Sequence, residues 1–156
     1  MKKIILCGAL FLSAIAFNNA KSQVSVNINI GSQPAWGPAG YDYVEYYYLP
    51  DIETYYYVPT RQYVYLSGNN WVFSRSLPAR YSNYDVYSGY KVVINEPKAY
   101  THYKRDKIKY AGYRGNHSQV IIRNTDEPKY YVVKGHPKYK GNNGKGNGKG
   151  KGRGHH

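Results

Sequence analysis

Hydrophobic and polar residues alternate along VSVNINI, from Val24 to Ile30, with the apolar side chains on one side. This period of two is typical of a β-strand with one buried face. The stretch GSQPAWGPAG follows, and its glycines and prolines indicate a loop. Trp36 is the large apolar residue of that loop, so we expect it to anchor the loop in the core.

Two tyrosine triplets dominate the next stretch, in YYYLP (Tyr46 to Pro50) and YYYVP (Tyr55 to Pro59). Each triplet favours a strand, and each segment ends at a proline, which cannot continue an internal ladder. In a strand, the outer two tyrosines of a triplet point to one face and the middle one to the other. Both faces of the predicted sheet are therefore aromatic, and we expect a core on one side and a loop, a second layer or a bound partner on the other.

The segment RQYVYLSGNNWVFS predicts a β-hairpin. Its alternating runs, Tyr63 to Leu66 and Trp71 to Ser74, flank SGNN, whose Gly68 tolerates the positive φ of a tight turn. We expect Trp71 to belong to the core rather than to a ligand platform. YKVVINEP, from Tyr90 to Pro97, predicts a further strand that ends at proline.

A helical pattern follows Pro97, and Gly112 suits its end. The residues at spacings of three and four are Tyr100, Tyr103, Lys107 and Tyr110 or Ala111. This spacing predicts a short, basic, amphipathic helix, with an extended segment as the alternative.

The C-terminal part contains QVIIRN and KYYVVKG, joined by TDEP, which resemble two last strands. From Gly135 onward, glycine, asparagine and lysine leave almost nothing apolar to bury, so we expect a disordered tail. The whole pattern predicts a mainly β protein: a small antiparallel sheet, a sandwich or a partly open barrel, with one short helix. The predicted units are a signal peptide at 1–20, a tyrosine-rich β domain at 21–134 and the basic tail at 135–156.

The N-terminus has the three parts of a secretory signal peptide: two lysines, an apolar run from Ile4 to Phe17, and small residues. The apolar run is shorter than the roughly 20 residues that span a bilayer, and we expect cleavage after Ala16 or Ala20. Cys7 is the only cysteine and lies in this segment, so the exported chain has no thiol chemistry. We expect a periplasmic, outer-membrane-associated or extracellular protein.

The net charge of +13 is unevenly spread. Residues 134–156 carry seven Lys/Arg and no Asp/Glu, whereas residues 21–133 carry thirteen Lys/Arg and nine Asp/Glu. Such a basic block is either a solubilising extension or a segment that attracts polyanions. In the second case the expected partners are polysaccharide, lipopolysaccharide or extracellular DNA. A solvated helix face is the other interpretation of the basic run in the predicted helix. The candidate polyanion-binding residues are Lys104, Arg105, Lys107, Lys109, Lys138, Lys140, Lys145, Lys149, Lys151 and Arg153.

No catalytic constellation is recognisable in the sequence. GxSxG, P-loop and dinucleotide fingerprints do not occur, and the histidines lack metal-ligand spacing inside the predicted fold. Asp51 and Glu53 are the pair to consider as general acid and base, but two acids between strands are typical of a solvated turn. We therefore expect no enzymatic activity, no metal and no cofactor.

The tyrosines have two interpretations. Tyrosine fills a β core with its ring, and it also offers a rigid surface on which sugar rings or bases stack. The candidate aromatic binding face consists of Tyr46, Tyr48, Tyr55, Tyr57, Tyr63 and Tyr65.

The order YYYLPDIE, YYYVP, YVYLSGNNWVFS and LP, followed by YKVVINEP, resembles a group of short tyrosine-rich hypothetical proteins of Gram-negative bacteria. Those proteins carry signal peptides and often Gly/Lys/Asn-rich C-terminal tails. The resemblance covers about half of the chain after the signal peptide, from Trp36 to Pro97, and implies an exported protein without supplying a mechanism.

The expected function is therefore a non-enzymatic, structural or adhesive role in the envelope or matrix, in which the cationic tail contacts polyanions. The alternative is a carbohydrate- or polyanion-binding module that uses the tyrosine-rich face. A small envelope hydrolase with an unrecognised site is a third hypothesis.

Overall fold

A computed structural model describes residues 28–141, and within this range the protein is built on one antiparallel five-stranded sheet. The strands follow one another in the order β4-β3-β2-β1-β5, and the sheet does not close into a barrel. Their bounds are β1 Tyr46–Leu49, β2 Thr54–Tyr57, β3 Gln62–Ser67, β4 Asn70–Ser74 and β5 Val92–Ile94. The mainly β, antiparallel fold predicted from the sequence is confirmed.

The two tyrosine triplets are neighbouring strands at the centre of the sheet. Tyr47 of β1 pairs with Tyr56 of β2, and Tyr48 pairs with Tyr55. Since side chains alternate across a strand, Tyr46, Tyr48 and Tyr55 enter one core cluster while Tyr47 and Tyr56 enter another. The predicted division of each triplet between two faces is confirmed, and both faces are buried.

Trp36 covers one face of the sheet, as predicted. Its ring lies 4.8 Å from that of Tyr56 and 5.6 Å from that of Tyr47, measured between centroids. The loop approaches so closely that a Cβ at Gly37 would lie 2.6 Å from the Tyr47 hydroxyl. Tyr47 in turn donates a hydrogen bond to Gln33 Oε1 at 3.0 Å, which fixes the loop on the sheet.

A helical layer covers the opposite face and confirms the predicted helix. It consists of a 3-10 turn, Ala99–His102, that continues into α1, Tyr103–Lys109. Tyr100, Tyr103 and Tyr110 pack against the cluster of Tyr46, Tyr48 and Tyr55. The sheet is therefore covered on both sides within one chain.

The hairpin of β3 and β4 is also confirmed. Ser67 pairs with Asn70, so the loop contains only Gly68 and Asn69. Gly68 has a φ of +61°, as the first position of a type II′ turn requires.

The two last strands predicted in QVIIRN and KYYVVKG are wrong. These segments form 3-10 helices, Ile122–Asn124 and Pro128–Val132. Tyr130 and Val133 are buried while Val132 is exposed, which is a spacing of three rather than the alternation of a strand. The first of the two segments packs against the loop that carries Trp36, where Ile122 N donates to Gly37 O at 2.8 Å. It therefore adds no strand to the sheet.

The predicted boundary between domain and tail also needs correction, because contacts continue beyond residue 134. His136 is buried, Lys140 N donates to Tyr131 O at 3.2 Å, and Lys138 Nζ donates to Asp126 Oδ1 at 2.7 Å. The remainder of the predicted tail, residues 142–156, lies outside the described residues, as does the predicted signal peptide.

Three short 3-10 turns complete the described chain: Ile30–Ser32, Ala79–Tyr81 and Ala111–Tyr113. The predicted strand from Val24 to Ile30 lies mostly outside the described residues, and its last three residues are not in a strand. Between residues 28 and 141, no helix has the length and apolar character needed to cross a membrane.

Candidate functional site

The six tyrosines predicted as one aromatic binding face do not share a face. Tyr63 pairs with Tyr56, so Tyr63 and Tyr65 lie on the side of Trp36, opposite the other four. Tyr46, Tyr48 and Tyr55 are 3%, 1% and 0% exposed, beneath the helical layer. The prediction of a single binding face is therefore wrong, because the helix occupies the position that a ligand would take.

Two of the four basic residues in α1 form ion pairs with carboxylates in the described part of the chain. Arg105 contacts Glu96 at 3.0 Å and Asp106 at 2.9 Å, and Lys107 Nζ lies 2.9 Å from Glu53. Lys104 forms no ion pair within residues 28–141. Of these predicted polyanion-binding residues, Lys104 thus has the ammonium group most available to a partner.

The other predicted polyanion-binding lysines also differ from one another in the contacts of their ammonium groups. Lys109 Nζ lies 5.0 Å from the ring centroid of Tyr110. Lys138 is paired with Asp126, whereas the side chain of Lys140 is exposed. The candidates outside the described residues are Lys145, Lys149, Lys151 and Arg153.

A groove of about 440 Å³ runs between the hairpin and the helical layer. Leu66 and Trp71 supply an apolar wall from β3 and β4. The opposite wall consists of Thr101, His102, Tyr103, Lys104 and Arg105. The lining therefore includes both an aromatic ring and a lysine that forms no ion pair in the described part of the chain.

No protein-family model, no curated protein and no solved structure matches the chain. The groove is consequently interpreted from its own chemistry. Trp71 is partly buried and makes edge-to-face contacts with Tyr55, Tyr100 and Tyr103. It thus packs against the core, as expected, but it is only partly buried and also forms part of the groove wall.

Asp51 and Glu53, the acids considered for catalysis, hold the β1–β2 turn to other elements. Asp51 accepts hydrogen bonds from the Tyr84 hydroxyl at 2.7 Å and from Gly115 N at 2.8 Å. Glu53 accepts hydrogen bonds from Tyr103 and Arg114 in addition to its contact with Lys107. The expectation of a solvated turn is wrong for these side chains, because both carboxylates are tied to distant segments.

These contacts also shift the pKa of Glu53. Burial raises it, but hydrogen bonds from Tyr103 and Lys107, together with the charge of Arg114, outweigh that effect and leave the pKa below its ordinary value. Glu53 is thus held as a carboxylate, which suits an ion-pair partner better than a general acid.

A buried carboxylate beneath α1 was not singled out from the sequence. Asp106 is fully buried, and its Oδ2 accepts a hydrogen bond from the Tyr55 hydroxyl at 2.8 Å. Burial, followed by the bond to Asp106, raises the pKa of Tyr55. This pair connects the helix to the centre of the sheet. Its sequence signal is weak, since a single acid in a basic run normally indicates a solvated helix face.

Lys91 is a second buried charge that the sequence analysis did not consider. It is 1% exposed, and its ammonium group donates to Tyr87 O at 3.3 Å. Burial lowers the pKa of Lys91 to about 8, although the negative charges of Asp85 and Asp51 act to raise it. Its position two residues before Val93 places both residues on the Trp36 side of the sheet, so strict alternation through KVVI is the signal that predicts its burial.

We expect Lys91→Met to raise the free energy of unfolding by about 1–3 kcal/mol at pH 7, because methionine fills the site without a desolvated charge. The folded-state pKa lies below the ordinary value of 10.5, so the penalty is full below about pH 8 and vanishes as the pH approaches 10.5. Urea unfolding at pH 7 and at about pH 9.5 measures the change. Lys104→Met is the exposed control, and an unchanged or lower stability of Lys91→Met at pH 7 would contradict the prediction.

Within residues 28–141, no group of three or more His, Cys, Asp or Glu side chains is placed to hold a metal ion. The groove between the hairpin and the helical layer remains the strongest candidate site, because it combines an accessible volume, an aromatic wall and an unpaired cation.

Proposed function

We propose that this protein is a non-enzymatic, exported protein of the bacterial envelope or extracellular matrix that binds acidic polymers in a structural or adhesive role. The observation that carries the proposal is the groove that Trp71 and Lys104 both line. Aromatic rings stack on the apolar faces of polymer units, and cations pair with their anionic groups. The tyrosine triplets support the proposal as the rigid core beneath the groove.

The polar side chains that would serve an enzyme have structural partners. Asp51, Glu53 and Asp106 each accept hydrogen bonds that join separate segments of the chain. A general acid or base needs access to its substrate, and these bonds occupy the oxygens that would react. This favours binding over catalysis.

A module for neutral carbohydrate is the second candidate function, and Trp71 is the observation that favours it. Stacking of a neutral sugar on the indole does not require Lys104, whereas binding of an acidic polymer does. The contrast makes Lys104 the residue that separates the two candidates.

We expect Lys104→Gln to weaken binding of heparin, used as a test polyanion, by about threefold to tenfold, since one exposed charge pair contributes up to roughly 1 kcal/mol or somewhat more when partly desolvated. Calorimetry on the exported chain measures the affinity. Arg75→Gln is the control, because Arg75 directly follows the last residue of β4 and its removal takes away one exposed charge outside the groove. Equal losses in the two variants would contradict a specific role for the groove.

The tail contribution is tested separately by a chain that ends at Gly141, after the last described contacts. It lacks Lys145, Lys149, Lys151 and Arg153. Each cation that neutralises a phosphate of single-stranded DNA contributes roughly 0.7 to the salt slope, so truncation should reduce the slope by about 3. An unchanged slope would show that these four charges do not engage the polymer.

A further inference from the structure

A second small pocket lies on the side of the sheet that Trp36 covers. It has a volume of about 160 Å³ and is formed where separate segments meet: the Ile30–Ser32 turn with the loop after it, β2 with the β2–β3 connection, and the residue that follows Val133. Its polar side chains are those of Ser32, Gln33, Tyr56, Arg61 and Lys134.

The pocket has two cations and no carboxylate. Arg61 and Lys134 both line it and are exposed, and neither forms an ion pair within residues 28–141. Their charges therefore add at one place. This differs from the groove beside α1, where Glu96 pairs with both Arg105 and His102.

Hydroxyl donors accompany the cations. Tyr56 lines the pocket with its phenol, and burial raises the pKa of that phenol while the charge of Arg61 lowers it. Ser32 contributes a second hydroxyl at the rim. Two cations with two hydroxyl donors match an oxyanion, which accepts several charge-assisted hydrogen bonds at once.

The backbone conformation of Arg61 also supports a functional role for the pocket. Its φ is +56°, a left-handed conformation that glycine and asparagine adopt far more readily than arginine does. The turn is closed by a hydrogen bond from Arg61 N to Val58 O at 3.2 Å. Strain of this kind concentrates at functional sites, and here it occurs at a residue that lines the pocket.

We propose that Ser32, Tyr56, Arg61 and Lys134 form a binding site for a single oxyanion group, such as a sulfate, a phosphate or a carboxylate. The site and the groove lie on opposite faces of the sheet, since Tyr56 packs with Trp36 whereas Trp71 packs with the helical layer. One molecule could thus hold two acidic chains at once, which increases avidity without new contacts. This bridging role rests on the proposed function, whereas the oxyanion site does not.

Titration with sodium sulfate, against sodium chloride at equal ionic strength, tests the site by nuclear magnetic resonance. We expect saturable shifts of the Ser32 and Gln33 amides in the full exported chain. The double variant Arg61→Asn and Lys134→Gln should weaken this response about tenfold or more, because both charge-assisted partners are lost. Asparagine tolerates the left-handed backbone, so the fold is retained.

The control variant is Arg80→Asn with Lys140→Gln, which removes two exposed positive charges away from the pocket. It should respond to sulfate as the original chain does. Sulfate also stabilises proteins without binding a site, and that general effect is equal in both variants. Shifts that do not saturate, or that are equal in the double variant and the control, would overturn the proposal.

The source of the oxyanion is identified by competition. If a heparin tetrasaccharide shifts the same amides, and if Arg61→Asn with Lys134→Gln weakens its binding, the site takes a sulfate group carried by a polymer. If inorganic sulfate alone does so, the site takes a free anion. Lys104→Gln should leave the sulfate response unchanged, so failure of the groove proposal and failure of the pocket proposal give different results.

Discussion

The protein is expected to unfold cooperatively above about pH 11. Burial raises the pKa of Tyr47, Tyr48 and Tyr55 far above the ordinary value of 10.0. Each is protonated in the folded chain, so its stabilising contribution is complete below about pH 10 and is lost as the pH rises toward the folded-state pKa. Each group removes about 1.4 kcal/mol per pH unit, so three remove about 4 kcal/mol per unit. Domains of this size have a free energy of unfolding of roughly 5–15 kcal/mol in total.

Circular dichroism and tyrosinate absorbance, followed together through the pH titration, measure this transition. Tyr48→Phe is the matched variant, because the Tyr48 hydroxyl is buried without a hydrogen-bond partner in the described part of the chain. It removes one ionisable group and no hydrogen bond, so the midpoint should move to higher pH. Ionisation of all tyrosines near pH 10 with the fold intact would contradict the buried triplets.

Tyr47→Ala is expected to lower the free energy of unfolding by about 3–5 kcal/mol, as other fully buried aromatic residues do. The ring is 0% exposed and contacts Trp36 and Tyr56, and the substitution also leaves Gln33 Oε1 without its donor. The same loss releases the anchoring loop, because Trp36 then faces a cavity. Urea unfolding followed by tryptophan fluorescence measures the change.

Tyr65→Ala is the control, since Tyr65 is only partly buried toward the edge of the sheet. We expect it to lower stability by less than about 1.5 kcal/mol. Losses of equal, small size at Tyr47 and Tyr65 would indicate that the triplets are a solvent-facing surface rather than a core.

Local chemistry explains which parts of the fold could be predicted from the sequence. The triplets end at Pro50 and Pro59 and alternate with a period of two, so strand limits and facing are both encoded within a few residues. Gly68 likewise determines the hairpin turn. The helix after Pro97 follows from its spacing of apolar residues. In each case the deciding signal is contained in one short segment.

The predictions of secondary structure and burial are wrong where contacts with distant segments determine the local conformation. QVIIRN contains β-favouring residues, but Ile122 and Arg123 bond to the backbone of the N-terminal loop instead of to a strand. Pro128 then begins a 3-10 helix. Similarly, His136 is buried, and its Nε2 lies within hydrogen-bond distance of Thr125 O, at 2.9 Å. The glycine-rich composition around His136 does not indicate this contact. Propensity is overridden by tertiary contacts in these segments.

The candidate sites could be predicted only in part. The basic run from Lys104 to Lys109 is evident in the sequence, but its division between paired and unpaired cations depends on Glu53 and Glu96. The pocket of Arg61 and Lys134 joins residues more than seventy positions apart, so no local motif describes it. The polyanion binding that we propose therefore has its general basis in charge and aromatic content, whereas the geometry is needed to name the residues.

The most direct test of the proposed function is to map, by nuclear magnetic resonance, the amide shifts that a heparin oligosaccharide causes in the chain without the predicted signal peptide. The account predicts saturable shifts along the groove, at Leu66, Trp71 and residues 101–105, that Lys104→Gln weakens. Shifts confined to residues outside both the groove and the oxyanion pocket, or a groove response unchanged by Lys104→Gln, would contradict it.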